Sequence, residues 1–353
     1  ISIGDHAVFS GNSARFNVGA VGNVRSVLNI GESAVFSGNS ATTSDCGGIY
    51  NFSGYVSFGG YATFTGNVAE TKGGAAYNPC GSMCFDSSAV FSGNAAKYGA
   101  AVYNGGIMTF SDGVHFSDNT AHEIGTIYNS GNIEIGTSAV FSGNSATTAG
   151  VAYNDTDASM TIGNSAVFNN NIAESGGGAL YNRGGSMTIG DSAFFSGNSA
   201  TSGGALYNAY GIEGMTNFGK YAVFSGNSAT TGGAVYAVSG TNTFGQGAGF
   251  FQNSAAVNGG ALSVNYGKEE FQDFTVFSGN SAGLNGGAFY ASRCTISMGS
   301  GAVFSGNSAG GLGGAICCEI YSPATIGNGA VFSENRASAG GGVYNQKDKI
   351  EFG

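Results

Sequence analysis

Charged residues are scarce in this sequence. Lys and Arg number 11 and Asp and Glu 21, so charged residues make up 9% of the 353 residues and the net charge is −10. An ordinary soluble domain has roughly 25% charged residues. With so few cations the chain cannot form the basic patch that attracts a phosphate backbone, which excludes a nucleic-acid partner. No apolar run approaches the roughly 20 residues of a membrane-spanning helix, so we expect no spanning segment.

Proline and tryptophan are nearly absent, with 2 Pro and no Trp, whereas glycine reaches 65 residues. The glycines follow no three-residue period, which excludes collagen. A hydrophobic share of 42%, with 26 Phe and 17 Tyr, excludes a disordered chain. Because no window shows apolar residues at a 3.6-residue period, a helical protein is excluded as well. The sequence therefore predicts an all-β protein.

An internal repeat organises the whole chain. A Phe-x-x-Asn unit occurs thirteen times at spacings of 25 to 29 residues, and a Gly-Gly-Ala-Leu-Tyr-Asn unit, best seen at residues 203–208, lies between successive copies. Apolar and polar residues alternate in three short segments of each repeat, which is typical of strands. One coil cannot bury its own apolar face, whereas stacked coils bury a continuous core.

These features predict a parallel β-helix, that is, a solenoid of about 13 coils of about 27 residues with three short strands per coil. We expect a right-handed coil, because connections between parallel strands are overwhelmingly right-handed. Residues 1–353 are expected to form a single β-helix domain, since the composition does not shift along the chain. The chain opens and closes at the same point of the repeat, without a capping helix. We therefore expect either a segment of a longer chain or a unit that stacks end to end.

The Asn residues of the repeat are expected to be structural. At a corner, a buried Asn can bond the backbone and the Asn of the next coil. The ladder from the Phe-x-x-Asn units comprises Asn12, Asn39, Asn67, Asn94, Asn119, Asn144, Asn171, Asn198, Asn227, Asn253, Asn280, Asn307 and Asn335. The Asn after the repeat Tyr also points inward. The glycosylation sequons at Asn51 and Asn154 fall on that inward position, so we expect carbohydrate attachment there to be blocked.

Two repeats illustrate both units together. Phe195 to Asn198 is followed by Gly203 to Leu206, and Phe304 to Asn307 is followed by Gly313 to Ile316. This pairing of Phe-x-x-Asn with Gly-Gly-Ala-Ile, Leu or Val resembles the repeat signature of the chlamydial polymorphic membrane proteins, a right-handed β-helix family, and similar repeats occur in algal surface proteins. The resemblance implies a secreted β-helix that serves in adhesion or surface display.

Groups suited to catalysis are few. The three histidines belong to no Ser-His-Asp set or zinc-ligand spacing, and the glycine-rich stretches lack a phosphate-loop Lys. Glu269, Glu270 and Asp273 form the densest acidic group, for which we expect a solvated acidic turn, with a weak cation site as the alternative. We therefore predict no enzyme, no metal and no cofactor. A polysaccharide lyase or hydrolase is the remote alternative.

Six cysteines are present. Cys80 and Cys84 bracket one variable stretch and form the first candidate disulfide. Stacking of coils is expected to bring Cys294 near Cys317 or Cys318, and Cys294–Cys318 is the second candidate. Two disulfides would suit an oxidising, extracellular setting.

Two outward stripes are the candidate binding and assembly surfaces. The Tyr of the second unit points outward and gives the stripe Tyr50, Tyr77, Tyr103, Tyr128, Tyr153, Tyr181, Tyr207 and Tyr236. The residue before the repeat Phe gives the assembly stripe Val8, Val35, Val90, Val140, Val167, Val223, Val276, Val303 and Val331. Such long apolar stripes exceed what a monomer ordinarily exposes, which favours contact with a partner. The alternative is that aromatic and β-branched residues are strand formers that stack on one another.

The sequence thus favours an extracellular structural protein that assembles into a fibre or surface layer through its ends and its Val and Tyr stripes. Its partners would be further copies of itself or other surface proteins and glycans. The second hypothesis is a cell-surface adhesin for a host receptor or glycan, with the variable loop from Asn208 to Asn217 as a candidate contact.

Overall fold

The structure, a computed structural model, describes residues 1–209, 214–347 and 349–353. Its contacts divide the chain into two compact units, here called unit 1 (Ile1–Val167) and unit 2 (Phe168–Gly353). No helix occurs in the described residues. The chain makes about 13 turns of about 27 residues, and its strands pair in parallel in three sheets. The predicted all-β parallel solenoid is confirmed, while its right-handed sense and its single-domain character stay predictions.

The first sheet, here called the Phe sheet, contains the repeat Phe in three-residue strands. Its thirteen strands are Val8–Ser10, Val35–Ser37, Thr63–Thr65, Val90–Ser92, His115–Ser117, Val140–Ser142, Val167–Asn169, Phe194–Ser196, Val223–Ser225, Gly249–Phe251, Val276–Ser278, Val303–Ser305 and Val331–Ser333. The register is strict: Phe9 pairs with Phe36 in unit 1, and Phe277 pairs with Phe304 in unit 2.

The second sheet, here called the Ala sheet, follows each Phe-x-x-Asn corner. Its twelve strands are Ser13–Ala14, Ser40–Ala41, Val68–Ala69, Ala95–Tyr98, Thr120–Ile124, Ser145–Thr148, Ile172–Gly176, Ser199–Ser202, Ser228–Thr231, Ser254–Ala255, Ser281–Ala282 and Ser308–Ala309. These strands were not recognised in the sequence. Six of the twelve have only two residues, which are too few to display an alternation.

The third sheet, here called the wide sheet, holds two strands of most turns. The strands with the repeat Tyr are Val21–Val24, Ile49–Phe58, Ala76–Phe85, Val102–Asn104, Ile127–Asn129, Ala152–Asn154, Leu180–Asn182, Leu206–Asn208, Val235–Ala237, Leu262–Asn265, Phe289–Ser292, Ile316–Cys318 and Val343–Asn345. The strands that precede the Phe sheet are Ser2–Ile3, Val27–Ile30, Ile107–Phe110, Asn132–Ile135, Ser159–Ile162, Ser186–Ile189, Met215–Phe218, Gly240–Phe244, Gly267–Phe271, Thr295–Met298, Ala324–Ile326 and Ile350–Phe352. Two of the three predicted strands of a coil therefore belong to one sheet.

The core consists of ring columns and small residues. In unit 1 the rings of Phe64 and Phe91 stack with centroids 4.8 Å apart, and Phe58 meets Phe64 edge-on at 5.3 Å. Both geometries are favourable for aromatic pairs. In unit 2 Phe195 and Phe224 stack in the same way at 4.7 Å. A strand spacing of about 4.8 Å thus suits ring stacking, which explains why Phe recurs at this position.

The two glycines of the Gly-Gly-Ala-Leu-Tyr-Asn motif are required for two separate reasons. Gly203 has a φ of +63°, a left-handed conformation that glycine adopts at no steric cost. A Cβ at Gly204 would lie 2.2 Å from the carbonyl oxygen of Gly233 in the next turn. The first glycine turns the chain, and the second lets two turns approach each other.

Candidate functional surfaces and a buried polar chain

The Asn residues of the Phe-x-x-Asn motifs form the expected ladder in unit 1 and in unit 2. In unit 1, Asn39 Nδ2 donates to the carbonyl oxygen of Phe9 at 2.9 Å and to Asn67 Oδ1 at 2.9 Å, and Asn39 N donates to the same Oδ1 at 3.1 Å. In unit 2, Asn253 makes the same bonds with Phe224 and Asn280. The side chains are fully buried except at the two ends of the ladder. They hold the corner and are not available to a ligand.

The Asn after the repeat Tyr form a second ladder in unit 1. Asn51 Nδ2 donates to Asn78 Oδ1 at 3.1 Å, and Asn78 Nδ2 donates to Asn104 Oδ1 at 2.8 Å. Asn51 and Asn154, the two sequon residues, have no exposed surface. A glycan therefore has no access to either amide.

In unit 2 this second ladder changes column. Ala237 and Val264 occupy the Asn position, and the polar groups move to the adjacent inward column. Asn208 Nδ2 donates to Asn242 Oδ1 at 3.0 Å, and Asn242 Nδ2 donates to Glu269 Oε1 at 2.7 Å. We call Asn208, Asn242 and Glu269 the buried polar chain.

Glu269 ends the buried polar chain and has no exposed surface. Its Oε2 has no hydrogen-bond partner. Burial raises the pKa of Glu269 to about 8, and the hydrogen bond from Asn242 opposes that shift in part. The expectation of a solvated acidic turn is therefore wrong for this residue. The signal was present in the sequence: Glu270 and Phe271 alternate outward and inward, which places Glu269 inward with the core.

All six cysteines are free thiols in the structure. Cys80 and Cys84 lie in one strand, Ala76–Phe85, where four residues span about 13 Å, well beyond the reach of a disulfide. Burial raises the pKa of the Cys294 thiol, and the nearby Ser322 side chain opposes that shift in part. Neither candidate disulfide is formed in the structure, and the pairing of Cys294 with Cys318 stays a prediction.

The Tyr stripe of unit 1 is a column of touching rings. Centroids of successive rings are 5.4, 5.2, 4.5 and 5.3 Å apart from Tyr50 through Tyr77, Tyr103 and Tyr128 to Tyr153. Tyr77 and Tyr153 are buried and the other three are half-buried. Mutual stacking therefore covers much of the surface that the sequence assigned to a partner.

The Tyr stripe of unit 2 is shorter. Tyr181 and Tyr207 stack at 4.7 Å, and Tyr207 lies 5.3 Å from Tyr236. Ser263 follows Tyr236 in register, and the next ring, Tyr290, is buried. Its hydroxyl donates to Glu319 Oε2 at 2.7 Å.

A small aromatic pocket opens beside the column of unit 1. Lys72, Tyr98, Tyr103, Ile124 and Tyr128 line about 140 Å³. The Lys72 ammonium lies 5.2 Å from the ring centroid of Tyr103, a cation–π contact. Tyr98 and Ile124 end unusually long strands of the Ala sheet. Neither they nor Lys72 belong to the repeat pattern, so this pocket could not be recognised from the sequence.

The Val stripe lies on the outer face of the Phe sheet. Val8 and Val331 are exposed, and the other seven valines of the stripe are half-buried. The remaining positions of the column hold Thr63, His115, Phe194 and Gly249. Across the outward positions of these strands, all of which are described, His115 is the one ionisable side chain. Within each unit the outward positions of this sheet are therefore poor in ionisable groups and partly apolar.

The described residues contain no helix long and apolar enough to cross a membrane. They also contain no group of three or more His, Cys, Asp or Glu placed to hold a metal ion. Of the loop from Asn208 to Asn217, residues 210–213 lie outside the described part of the chain.

Six segments match the repeat model of the Chlamydia polymorphic membrane protein family, residues 61–79, 165–183, 192–209, 222–238, 274–292 and 301–319. No curated protein and no solved structure matches the chain. Each matched segment spans a Phe strand, its Asn corner and the Gly-Gly pair or its equivalent, so the family signature coincides with the features that build the turn. The chain is a parallel β-solenoid that carries six copies of the repeat of the Chlamydia polymorphic membrane protein family.

Proposed function

We propose that this chain is an extracellular structural protein of the cell surface that associates laterally with further copies of itself through the outer face of the Phe sheet. The observation that carries the proposal is the chemistry of that face, which holds Val and Ser columns and one ionisable residue, His115. Flat β-faces without charge lack the usual protection against association. The family, whose members are surface-type solenoids, supports the location. End-to-end stacking stays a prediction.

We propose also that the chain is not an enzyme and acts through its surfaces. The buried polar chain supports this view, because its one carboxylate, Glu269, is sealed in the core where no substrate reaches it. The hydroxyls and amides of the other ladders bond to one another between turns.

The experiment introduces charge on the proposed face. Val90→Glu with Val140→Glu changes two outward positions of unit 1, in the column where His115 shows that the solenoid accepts an ionisable residue. Thr109→Glu with Thr161→Glu is the matched control, since these residues point outward from the wide sheet. Sedimentation over a range of concentrations should show the native chain and the control associating, and the Val90/Val140 variant remaining monomeric. A native chain that stays monomeric throughout, or a Val90/Val140 variant that associates as the native chain does, would overturn the proposal.

An adhesin function is the second candidate, and the aromatic pocket of unit 1 supports it. Tyr98 and Ile124 stand beside the Tyr column and give it a concave, apolar contact site with the Lys72 cation at its wall. Tyr98→Ser with Ile124→Ser removes that wall and leaves the Tyr column in place. Loss of adhesion to a receptor or glycan surface in this variant would support the adhesin, and unchanged adhesion would remove it.

A further inference from the structure

Four bulky aromatic residues of unit 2 have a left-handed backbone. Tyr221, Tyr266, Phe274 and Tyr321 have φ values of 59°, 59°, 63° and 59°. This conformation is uncommon for bulky side chains and costs about 1–3 kcal/mol. The equivalent corner positions of other turns are also left-handed, as at Ser33, Ser88 and Arg293, so the conformation belongs to the repeat. What distinguishes these four residues is a bulky aromatic side chain at such a corner.

The four residues form the two edges of one face of the wide sheet. Tyr266 directly precedes strand Gly267–Phe271, and Tyr321 lies three residues before strand Ala324–Ile326. Tyr221 and Phe274 stand in the turns that follow strands of the same row. We call the outer surface between these two edges the aromatic-edged face. All four side chains are more than half exposed, from 56% for Phe274 to 73% for Tyr321.

The rings of Tyr221 and Phe274 lie across glycines of the following turns. A Cβ at Gly247 would come within 2.7 Å of Tyr221 Cδ1, and a Cβ at Gly301 would come within 2.7 Å of Phe274 Cδ1. Each ring thus occupies the space that a side chain of the next turn would fill. One ring face rests on the solenoid and the other is open to solvent.

The spacing of these two rings is fixed by the backbone. Tyr221, Gly247, Phe274 and Gly301 are equivalent positions of four successive turns, joined by hydrogen bonds from each residue to the turn that follows. Two turns separate the rings, a distance of about 9.6 Å. This distance is close to the length of one disaccharide in an extended β-1,4-linked polysaccharide, in which alternate sugars present the same face.

The floor between the edges is polar and has no net charge. Outward residues Thr243, Thr295 and Ser297 supply hydroxyls, which can donate to and accept from sugar hydroxyls. The two charges of the floor, Lys268 and Glu270, form an ion pair with each other. The floor therefore suits a neutral ligand. Arg293, on the edge between Tyr266 and Tyr321, lies with its guanidinium 5.3 Å from the centroid of the Tyr266 ring.

We propose that the aromatic-edged face binds an extended, uncharged β-1,4-linked polysaccharide, whose alternate sugar rings stack on Tyr221 and Phe274 and whose hydroxyls bond the Thr and Ser floor. The polysaccharide runs across the strands, along the direction in which the turns are stacked. Cellulose and chitin share this geometry. The face is separate from the outer face of the Phe sheet, so this inference does not depend on lateral self-association.

The test uses serine substitutions in these turns. Tyr221→Ser with Phe274→Ser introduces the residue that occupies the same left-handed position in other turns, for example Ser88 and Ser192, so the fold is expected to persist. Tyr61→Ser is the matched control, because Tyr61 has the same position, a φ of 61° and an exposure of 61%, but the equivalent residue two turns later is Gly113. Co-sedimentation with microcrystalline cellulose, chitin and insoluble amylose measures binding.

We expect the native chain and Tyr61→Ser to bind cellulose or chitin, and the double variant to bind at least about tenfold more weakly, since two stacked rings are lost. The cellulose and chitin arms show which of the two sugars the floor accepts. Amylose, whose α-linked chain coils, should not bind. Absence of binding to both β-1,4 polysaccharides, equal binding by the double variant, or equal binding to amylose would overturn the proposal.

Discussion

Asn242 donates a 2.7 Å hydrogen bond to one oxygen of Glu269, while the other oxygen of that carboxyl group is buried without a partner. The chain thus keeps an acid inside a column whose following turn holds the buried Ile296. A single amide cannot compensate for the water that this carboxylate loses on burial. Burial therefore raises the pKa of Glu269 to about 8, which favours its protonated form at neutral pH.

The first prediction concerns the pH dependence of stability. The pKa of Glu269 rises from 4.5 to about 8 on folding, so the unfolded chain loses this proton at a lower pH than the folded chain does. Its effect on the free energy of unfolding is absent below pH 4.5, and it destabilises the folded state increasingly as the pH rises to about 8. We expect Glu269→Gln to match the native chain at pH 4 and to unfold at a higher temperature at pH 8.

Thermal unfolding between pH 4 and 9 measures this difference. Glu270→Gln is the control, because Glu270 is the outward neighbour on the same strand and pairs with Lys268. A Glu269→Gln curve parallel to the native one over the whole range would contradict the prediction.

The second prediction concerns the Asn ladder. Asn253 donates to the carbonyl oxygen of Phe224 and to Asn280 Oδ1, and its own Oδ1 accepts from Asn227. Asn253→Ala leaves buried polar groups unpaired, which costs about 1–3 kcal/mol for each group. We expect the free energy of unfolding in urea to fall by about 3 kcal/mol. Ser254→Ala, an outward neighbour, should change it by less than about 0.5 kcal/mol, and an equal effect of the two substitutions would contradict a ladder.

The third prediction separates the two reasons for glycine. At Gly204 a Cβ would meet the backbone oxygen of Gly233 at 2.2 Å, whereas at Gly226, with a φ of +63°, it would meet nothing. Gly204→Ala therefore pushes two turns apart, and we expect a loss of about 3 kcal/mol or more. Gly226→Ala should cost about 1 kcal/mol, from its left-handed backbone alone. Chemical denaturation measures the loss of unfolding free energy in both variants. A larger loss in Gly226→Ala than in Gly204→Ala would be incompatible with close approach of the turns.

The fourth prediction concerns the thiols. Cys46, Cys294, Cys317 and Cys318 are buried, and burial raises the pKa of Cys317 to about 12. Thiolates are the reactive form, so these groups should not react in the folded chain.

Titration with a thiol reagent tests this directly. Cys80 and Cys84, which are half-buried, should react in the native protein, and all six cysteines should react after unfolding. If only two or four thiols react after unfolding without a reductant, a disulfide is present and the assignment of six free cysteines is wrong.

The fold was predictable because the same sequence motif recurs in every turn. The Phe-x-x-Asn spacing, the inward Ile and the Gly-Gly pair recur often enough to define the turn length and the buried columns. The Ala sheet was not predicted, because Ser40–Ala41 and similar strands have only two residues, too few to show an alternation. Cys80 and Cys84 were assigned to a loop because Pro79 and Gly81 interrupt the alternation, although the strand continues through them.

The candidate sites were less predictable, since they depend on departures from the repeat. Lys72, Tyr98 and Ile124 lie in variable stretches, and only the stacked turns bring them to one pocket. Nothing in the repeat pattern distinguishes Tyr221 and Phe274 from other aromatic residues. Their left-handed backbone and their packing against glycines of the next turn are visible only in the structure. The alternation of the strand alone places the Glu269 side chain inward. Its acidic neighbours Glu270 and Asp273 made the whole segment resemble an exposed acidic turn.

The strict register within each unit has a consequence for how such a chain changes over generations. Every turn presents the same pairing edge to the turn before it and to the turn after it, as Val8 to Val35 and Val276 to Val303 illustrate. Recombination between two repeats of the gene can therefore delete or duplicate a whole turn, and the remaining turns meet in register. Insertion of one residue inside a Phe strand reverses every side chain beyond it in that strand. A change in the number of whole turns therefore preserves the strand register, whereas a change in length inside a strand disrupts it.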